Sequence, residues 1–239
     1  DLSLDDSAAG AGENDITGYE IYYSRVYNSS REGYSLLAPV PNGTSSYTHS
    51  YAGNGYIGSE WEGKSMPPDN FFYYVVARDD DWNSASTTDQ VGKFIRRLDT
   101  GMNLISFPLV PSDPLTDMVL QTVAFDKVWH FNASDPDSWK TYMTFKPYKG
   151  DLLRLDNRMG MWINVTEYSY LTVVGYAVEP TQIVLKTGWN LISYPSYTKR
   201  TVSSVLSTAF YEKVEGFDLL SDPWRTRIYA DSDYMVPGY

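Results

Sequence analysis

The acidic clusters of the chain are the residues whose chemistry is most easily tested against a known site. Asp79, Asp80 and Asp81 are consecutive, and carboxylate oxygens are the ligands that Ca²⁺ prefers. The run lacks the alternating aspartates and glycine of a calcium-binding loop. A solvated turn is therefore the expected structure, with a Ca²⁺ site on Asp79 and Asp81 as the alternative, and we expect no other cofactor.

Catalytic residue patterns are not found in this sequence. The two histidines, His49 and His130, lie outside every motif that pairs histidine with a nucleophile or a metal, and the chain has no cysteine. Glu60 and Glu62 flank Trp61 in a glycine-rich stretch, but this spacing does not establish the separation that a glycosidase carboxylate pair needs. We expect a protein that is not an enzyme.

Aromatic residues in turn-rich sequence are the candidate contact surface. Exposed tryptophan and tyrosine rings stack on sugars and also anchor protein interfaces. Four such residues are Trp61, Trp82, Tyr51 and Tyr56. They predict a surface for a glycan or a protein partner, against the alternative that they pack within their own loops.

Charge and composition exclude some partners. The 239 residues include 30 acidic and 19 basic ones, a formal charge of -11, which repels nucleic acid and anionic lipid. No stretch reaches the roughly 18 to 20 apolar residues that span a bilayer, so we expect no membrane insertion. Four Asn-x-Ser/Thr sites favour a glycosylated protein outside the cell: Asn28, Asn42, Asn132 and Asn164.

An internal repeat organises residues 98–239. Residues 100–108 return as residues 187–195 with seven of nine positions identical, and further matching pairs follow at nearly the same spacing. This collinearity predicts two copies of one supersecondary unit. Four tryptophans lie within the repeat and are expected mainly in its core: Trp139, Trp162, Trp189 and Trp224.

Each copy is predicted to be β-rich with one short helix. The Asn-Leu-Ile-Ser segment forms a strand that ends at proline, and the apolar spacing that follows predicts helices over 114–123 and 201–209. Strands follow in the first copy: Lys127–Phe131, Ser138–Met143, Leu152–Leu155, Met161–Val165 and Tyr170–Val174.

Residues 1–97 have the alternation of a β-sandwich. Tyr19–Ser24 and Phe71–Arg78 alternate residue by residue between the two faces of a strand. Ser35–Val40 and Ser46–Tyr51 are further predicted strands, separated by turns rich in proline, asparagine and glycine. This part of the chain is expected to be a sheet of short strands.

These patterns resemble two known families. Asp15–Tyr23, Tyr47–Ser50 and Tyr73–Asp79 are similar to strands C, E and F of a fibronectin type III domain. The two later units resemble the Gly-Trp-Asn-Leu-Ile-Ser-x-Pro repeats of archaeal and bacterial secreted or cell-surface proteins, with Gly160–Ile163 matching their closing strand. The resemblance implies a multidomain exterior protein and supplies no catalytic residues.

The expected fold is all-β: a truncated fibronectin III-like sandwich over 1–97, one repeat unit over 98–180 and a second, truncated unit over 181–239. The strands absent from the two ends are expected either in the same parent polypeptide or from a neighbouring copy. The expected function is a structural or assembly module of an extracellular or cell-surface protein, such as a filament or surface layer. Its partners would be copies of itself or other domains of the parent protein. The alternative is a glycan- or protein-binding accessory module of a secreted hydrolase.

Overall fold

The computed structural model describes residues 16–49, 70–79, 84–86, 89–217 and 226–238. Within these ranges the chain is built mainly from antiparallel strands, and its two α-helices have four residues each. The prediction of an all-β fold with short helices is confirmed. The chain divides into two compact units, Asp1–Val91 and Gly92–Tyr239.

The first unit is a sheet of four described strands. They are β1 (Ile16–Ser24), β2 (Ser35–Pro41), β3 (Phe71–Asp79) and β4 (Ser84–Ser86). β1 pairs antiparallel with β2 on one edge and β3 on the other, and β4 pairs with β3. Burial of Ile21, Phe71 and Val75 supplies the apolar packing, as expected for strands rich in aromatic and β-branched residues.

Aromatic side chains of this unit pack against one another. Tyr22 and Tyr74 are cross-strand partners whose rings stack at 4.9 Å, a pairing that stabilises neighbouring strands. The predicted strand at Ser46–Tyr51 is wrong over its described residues 46–49, which are irregular. His49 there packs its ring against Phe71 and Tyr73 instead, at 5.6 and 5.9 Å.

The first part of the second unit consists of β5 and the first copy of the repeat. Its elements are β5 (Gln90–Leu98, whose first two residues precede the division), β6 (Gly101–Ile105), β7 (Val110–Pro111), α1 (Thr116–Val119), β8 (Phe125–Phe131), β9 (Trp139–Met143), β10 (Met161–Val165) and β11 (Ser169–Ala177). One sheet has the order β6-β10-β8-β9, and β11 lies between β5 and β7. β10 is thus a central strand, and its Met161, Ile163 and Val165 are buried.

The second copy contains fewer strands in the described ranges. Its elements are β12 (Arg200–Thr201), α2 (Val202–Val205), β13 (Val214–Phe217), β14 (Thr226–Tyr229) and β15 (Tyr234–Met235). β13 pairs with β14 in the register that β8 has with β9: Val214 faces Tyr229 as Val128 faces Tyr142. β12 pairs with β15.

The two copies share their local structure. Asn103 donates from Nδ2 to the carbonyls of Asp99 at 2.7 Å and Gly101 at 2.9 Å. Asn190 donates in the same way to Lys186 at 2.7 Å and Gly188 at 3.0 Å. This asparagine therefore holds local backbone in both copies. Both turns also use a glycine at positive φ, 102° at Gly101 and 94° at Gly188, a backbone conformation that favours glycine.

One predicted strand of the first copy does not form. Leu152 and Leu155 are buried, but their amides bond to single carbonyls of Thr141 and Pro114, at 3.0 and 2.8 Å. The segment makes only one isolated bridge, between Arg154 and Leu115. Its apolar residues are therefore held by loop contacts and not by a ladder.

The predicted core position is also wrong for most of the tryptophans of the repeat. Trp139 and Trp189 are exposed, and Trp162 is half-buried, while Trp224 lies outside the described residues. Trp139 begins β9, which is the edge of its sheet, so its ring rests on Phe131 at 5.2 Å instead of entering the core.

Candidate functional site

A groove of about 760 Å³ lies on the second copy of the repeat. Residues 185–192 form one wall and residues 210–217 the other. The lining also includes Ile105 and Gly160 of the first copy and Met235 near the end of the described chain. All of these residues belong to the second unit.

Side chains along the groove are more exposed than their equivalents in the first copy. Leu98 has no exposed surface, whereas Leu185 at the equivalent position is 36% exposed. Likewise Leu120, Val128 and Ile105 are buried, but Leu206, Val214 and Ile192 are only half-buried. The same apolar sequence pattern is thus fully covered in the first copy and partly open in the second.

The rim of the groove carries aromatic side chains. Phe210 is fully exposed and Trp189 is 61% exposed, and both line the groove with Tyr211. Lys213 places its ammonium 5.0 Å from the Trp189 ring centre and its Nζ 2.7 Å from a carboxylate oxygen of Glu215. Exposed aromatic residues of this kind anchor protein interfaces more often than charged ones do.

Strand pairing explains why equivalent side chains are buried in the first copy and partly exposed in the second. In the first copy β10 lies between β6 and β8, antiparallel to both. The second copy has sequence counterparts of both neighbours, residues 187–191 and β13, but the strand predicted at Asn190–Ser193 does not form and residues 187–191 are irregular. Among its described residues, β13 pairs only with β14, in a two-stranded sheet. The groove therefore occupies the place that corresponds to a central strand.

Contacts between the two copies fix one end of the groove. Ile192 forms a bridge with Met159, and the amide of Ser193 bonds to the carbonyl of Arg158 at 3.1 Å. Gly160 permits this approach, because a Cβ atom there would stand 2.6 Å from the carbonyl oxygen of Ile192. The ring of Phe217 in β13 also contacts Trp162 of β10 at 5.0 Å.

The histidines do not belong to the groove wall. His130 is largely buried, and this burial lowers its pKa below the ordinary value, while its hydrogen bond to Gly160 and the charge of Asp156 act in the opposite direction. Its Nδ1 lies 2.8 Å from the Gly160 carbonyl oxygen, so the neutral ring donates there. Burial also lowers the pKa of His49. Both rings act as packed, neutral groups.

The contact and calcium candidates fall largely outside the described residues. Trp61, Trp82, Tyr51, Tyr56 and Asp81 are all in that category. Asp79 ends β3, where its carbonyl accepts a hydrogen bond from Thr17 at 3.2 Å. Within the described ranges no group of three or more histidine, aspartate or glutamate side chains is arranged to hold a metal ion.

The sites predicted for glycosylation differ in accessibility. Asn42 is exposed in the turn after β2. Asn28 and Asn132 are half-buried in turns, where each side-chain oxygen accepts the amide two residues later, at 3.0 and 2.9 Å. Asn164 lies within β10 and donates to both carboxylate oxygens of Asp126 at 3.0 Å. Glycosylation itself remains a prediction.

Comparison with known proteins gives no relative: no family model, curated protein or solved structure matches the chain. In the part of the chain that the structure describes, no helix is long and apolar enough to cross a membrane.

The sequence predicted a second unit that lacks strands of the first, but not the position of the groove. Its signal is nonetheless present in a residue-by-residue comparison of the copies, where Ala124 and Phe125 correspond to Phe210 and Tyr211. The second copy therefore places a larger aromatic pair where the first copy has alanine and phenylalanine. Such an increase in apolar surface at an open position is typical of an interface.

Proposed function

We propose that the chain is a non-enzymatic assembly module of a larger extracellular or cell-surface protein, as in a filament or surface layer. The observation that carries the proposal is the open apolar groove on the second copy, formed by side chains whose equivalents in the first copy are buried. Covering apolar surface stabilises an association by about 25 cal/mol per Å² before the costs of binding. Polypeptide that covers the groove, from this protein or from another, would therefore gain stability.

Buried polar groups of the second unit support a non-enzymatic reading, because they hold the backbone together. Thr116 donates to the Leu152 carbonyl at 2.6 Å, and Asn157 donates to the Pro108 carbonyl at 3.2 Å. Ser193 donates to the Asn157 carbonyl. The first two hydrogen bonds join loops within the first copy, and the third joins the second copy to the first, which is the chemistry of a rigid scaffold.

An exterior location is supported by the sequence. Four glycosylation motifs and a net charge of -11 suit a soluble surface outside the cell. The resemblance to fibronectin type III domains and to cell-surface repeats points the same way. The proposed partners are other domains of the parent protein or copies of the chain.

Cross-linking of native material tests the proposal. Lys186 and Lys213 line the groove, whereas Lys127 and Lys140 lie in strands of the first copy. We expect amine-reactive cross-links from the surface fraction of the source cells to join Lys186 and Lys213 to a second polypeptide, with the two first-copy lysines as controls. A cytosolic protein, or intermolecular cross-links absent from the groove lysines, would contradict the proposal.

The alternative, a glycan- or protein-binding accessory module of a secreted hydrolase, depends on the loop aromatics Trp61, Trp82, Tyr51 and Tyr56. The sequence argument alone supports it, because the structure does not describe these residues.

A further inference from the structure

We propose that Asn42 is a site of spontaneous deamidation, at which the backbone nitrogen of Gly43 attacks the side-chain amide. The proposal goes beyond the assembly function and does not depend on it. It rests on the turn after β2, where the amide of one side chain contacts the backbone amide of the next residue. The product is an aspartyl or isoaspartyl residue in place of an asparagine that belongs to a glycosylation motif.

The turn brings the two reacting groups together. The Gly43 nitrogen donates to Oδ1 of Asn42 at 2.7 Å, and Cγ, the carbon that would be attacked, is bonded directly to that oxygen. The ring that closes contains the Gly43 nitrogen and the C, Cα, Cβ and Cγ atoms of Asn42. Groups that are already held close to each other lose little further freedom when they react.

Space around the turn allows the ring to close. Asn42 and Gly43 are both exposed. A Cβ atom added to Gly43 would meet no other atom of the described residues within 4 Å, and glycine itself brings no side chain against the carbon that its nitrogen attacks. The ring can therefore form without displacing a neighbouring side chain, and water can reach it.

The turn can also rearrange at a small cost in free energy. The hydrogen bond that spans it runs from the Thr44 amide to the Pro41 carbonyl at 3.3 Å. The Asn42 amide bonds to the Thr17 carbonyl, also at 3.3 Å. Both bonds are longer than the usual range, and exposed loops open with little free energy. The Gly43 nitrogen can therefore rotate to face Cγ of Asn42.

The reaction needs only the chain and water. The Gly43 nitrogen forms a bond to Cγ of Asn42, and the bond from Cγ to Nδ2 breaks. The proton of the Gly43 amide goes to the leaving group, which departs as ammonia. Water then adds to one of the two carbonyl carbons of the cyclic imide and opens it to aspartate or isoaspartate. Nδ2 is the atom to which a glycan would be attached, so a deamidated chain can no longer be glycosylated at this motif.

Two other turns of the chain provide internal controls. In them the side-chain oxygens of Asn28 and Asn132 accept the amide two residues later, at 3.0 and 2.9 Å. That amide is too far along the chain to close the same ring. The residues that follow directly, Ser29 and Ala133, carry side chains that obstruct the approach of their own nitrogens. Both asparagines should therefore deamidate more slowly than Asn42.

Incubation of the full, unglycosylated chain at mildly alkaline pH tests the proposal. Peptide mapping by mass spectrometry measures the conversion of each asparagine, and fragment spectra locate it. We expect Asn42 to convert at least about tenfold faster than Asn28 and Asn132. Asn54 also precedes a glycine but lies outside the described residues, so its conversion is recorded separately. The reference is a synthetic peptide of residues 38–47, APVPNGTSSY, whose rate the folded chain should approach within about tenfold.

Two variants of the turn separate the reacting pair from the glycosylation motif. Gly43→Ala should slow the conversion of Asn42 about tenfold, because a methyl group then obstructs the attacking nitrogen. Thr44→Val removes the motif but keeps both reacting residues, and should leave the rate within about twofold of the unmodified chain. Equal rates at Asn42, Asn28 and Asn132 would overturn the proposal. So would conversion of the free peptide without detectable conversion of Asn42 in the folded chain, because the turn would then protect the residue.

Discussion

Removal of the repeated asparagine should cost different amounts of stability in the two copies. Asn103 is 6% exposed and donates two hydrogen bonds from Nδ2, to Asp99 and Gly101. At about 1 kcal/mol for each bond, with a further penalty for carbonyls left without a partner, Asn103→Ala should lower the free energy of unfolding by roughly 2 to 3 kcal/mol. Asn190 makes the same two bonds and also accepts the Lys186 amide at 2.8 Å, but its half-exposed site admits water that can replace these partners, so Asn190→Ala should cost less than Asn103→Ala, about 1 kcal/mol.

The measurement is amide hydrogen exchange in the full chain, of β6 and β10 for the Asn103 variants and of residues 187–191 for the Asn190 variant, which reports the free energy of opening of each region. The matched comparison is between the two alanine variants, because both asparagines donate to the same two backbone positions of the turn before them. Asn103→Asp is a second variant: it preserves the size of the side chain but turns an oxygen toward two carbonyl oxygens, and should be at least as destabilising as alanine. Equal losses at Asn103 and Asn190, or a loss below about 0.5 kcal/mol at Asn103, would refute the assignment of this asparagine as the organising residue of the buried turn.

Three further predictions follow from single contacts. Burial lowers the pKa of His130 in the folded chain, so the unfolded chain binds its proton first as the pH falls below about 6.5. The free energy of unfolding therefore declines with falling pH until the pH has passed the folded pKa. In urea unfolding at about pH 7 and pH 5 the His130→Asn variant should lose less stability than the unmodified chain, and an equal loss would contradict this. Gly160→Ala places a methyl group 2.6 Å from the Ile192 carbonyl oxygen and should destabilise the second unit by about 1 to 3 kcal/mol, measured by urea unfolding; a neutral effect would show that the two copies separate easily at this point. Glycopeptide mass spectrometry of native protein should find Asn42 more often modified than Asn164, whose amide is held by Asp126, and the reverse order would contradict the accessibility argument.

Local periodicity was sufficient for many of the elements. The strand predicted at Met161–Val165 is present with those bounds, and both helices begin within the predicted ranges. Alternating and helical patterns report which face of an element is buried, so they succeed where one face meets a core. Leu152–Leu155 shows the limit, because buried leucines are also found in loops whose amides bond to isolated carbonyls.

Predicting the position of the groove requires information that the sequence of a single copy of the repeat does not contain. Trp189 was predicted in the core from its place in the repeat, but it is 61% exposed, because burial is decided by tertiary contacts and not by the local sequence. The register of β10 between β6 and β8 is tertiary information, and only its comparison with β13 shows which position is open. Sequence identity between the copies predicted the same supersecondary unit in both, whereas the exposure of equivalent side chains differs.

The bridge between Met159 and Ile192 gives the repeat a direction. The first copy presents the backbone ahead of its central strand to the copy that follows it, and the two partners are not interchangeable. In a tandem array joined by this contact, the units would follow one another in a single direction, and each unit would present the same stretch of backbone to the next. Such an array has two different ends, and its final unit needs a cap of a kind that the earlier units do not.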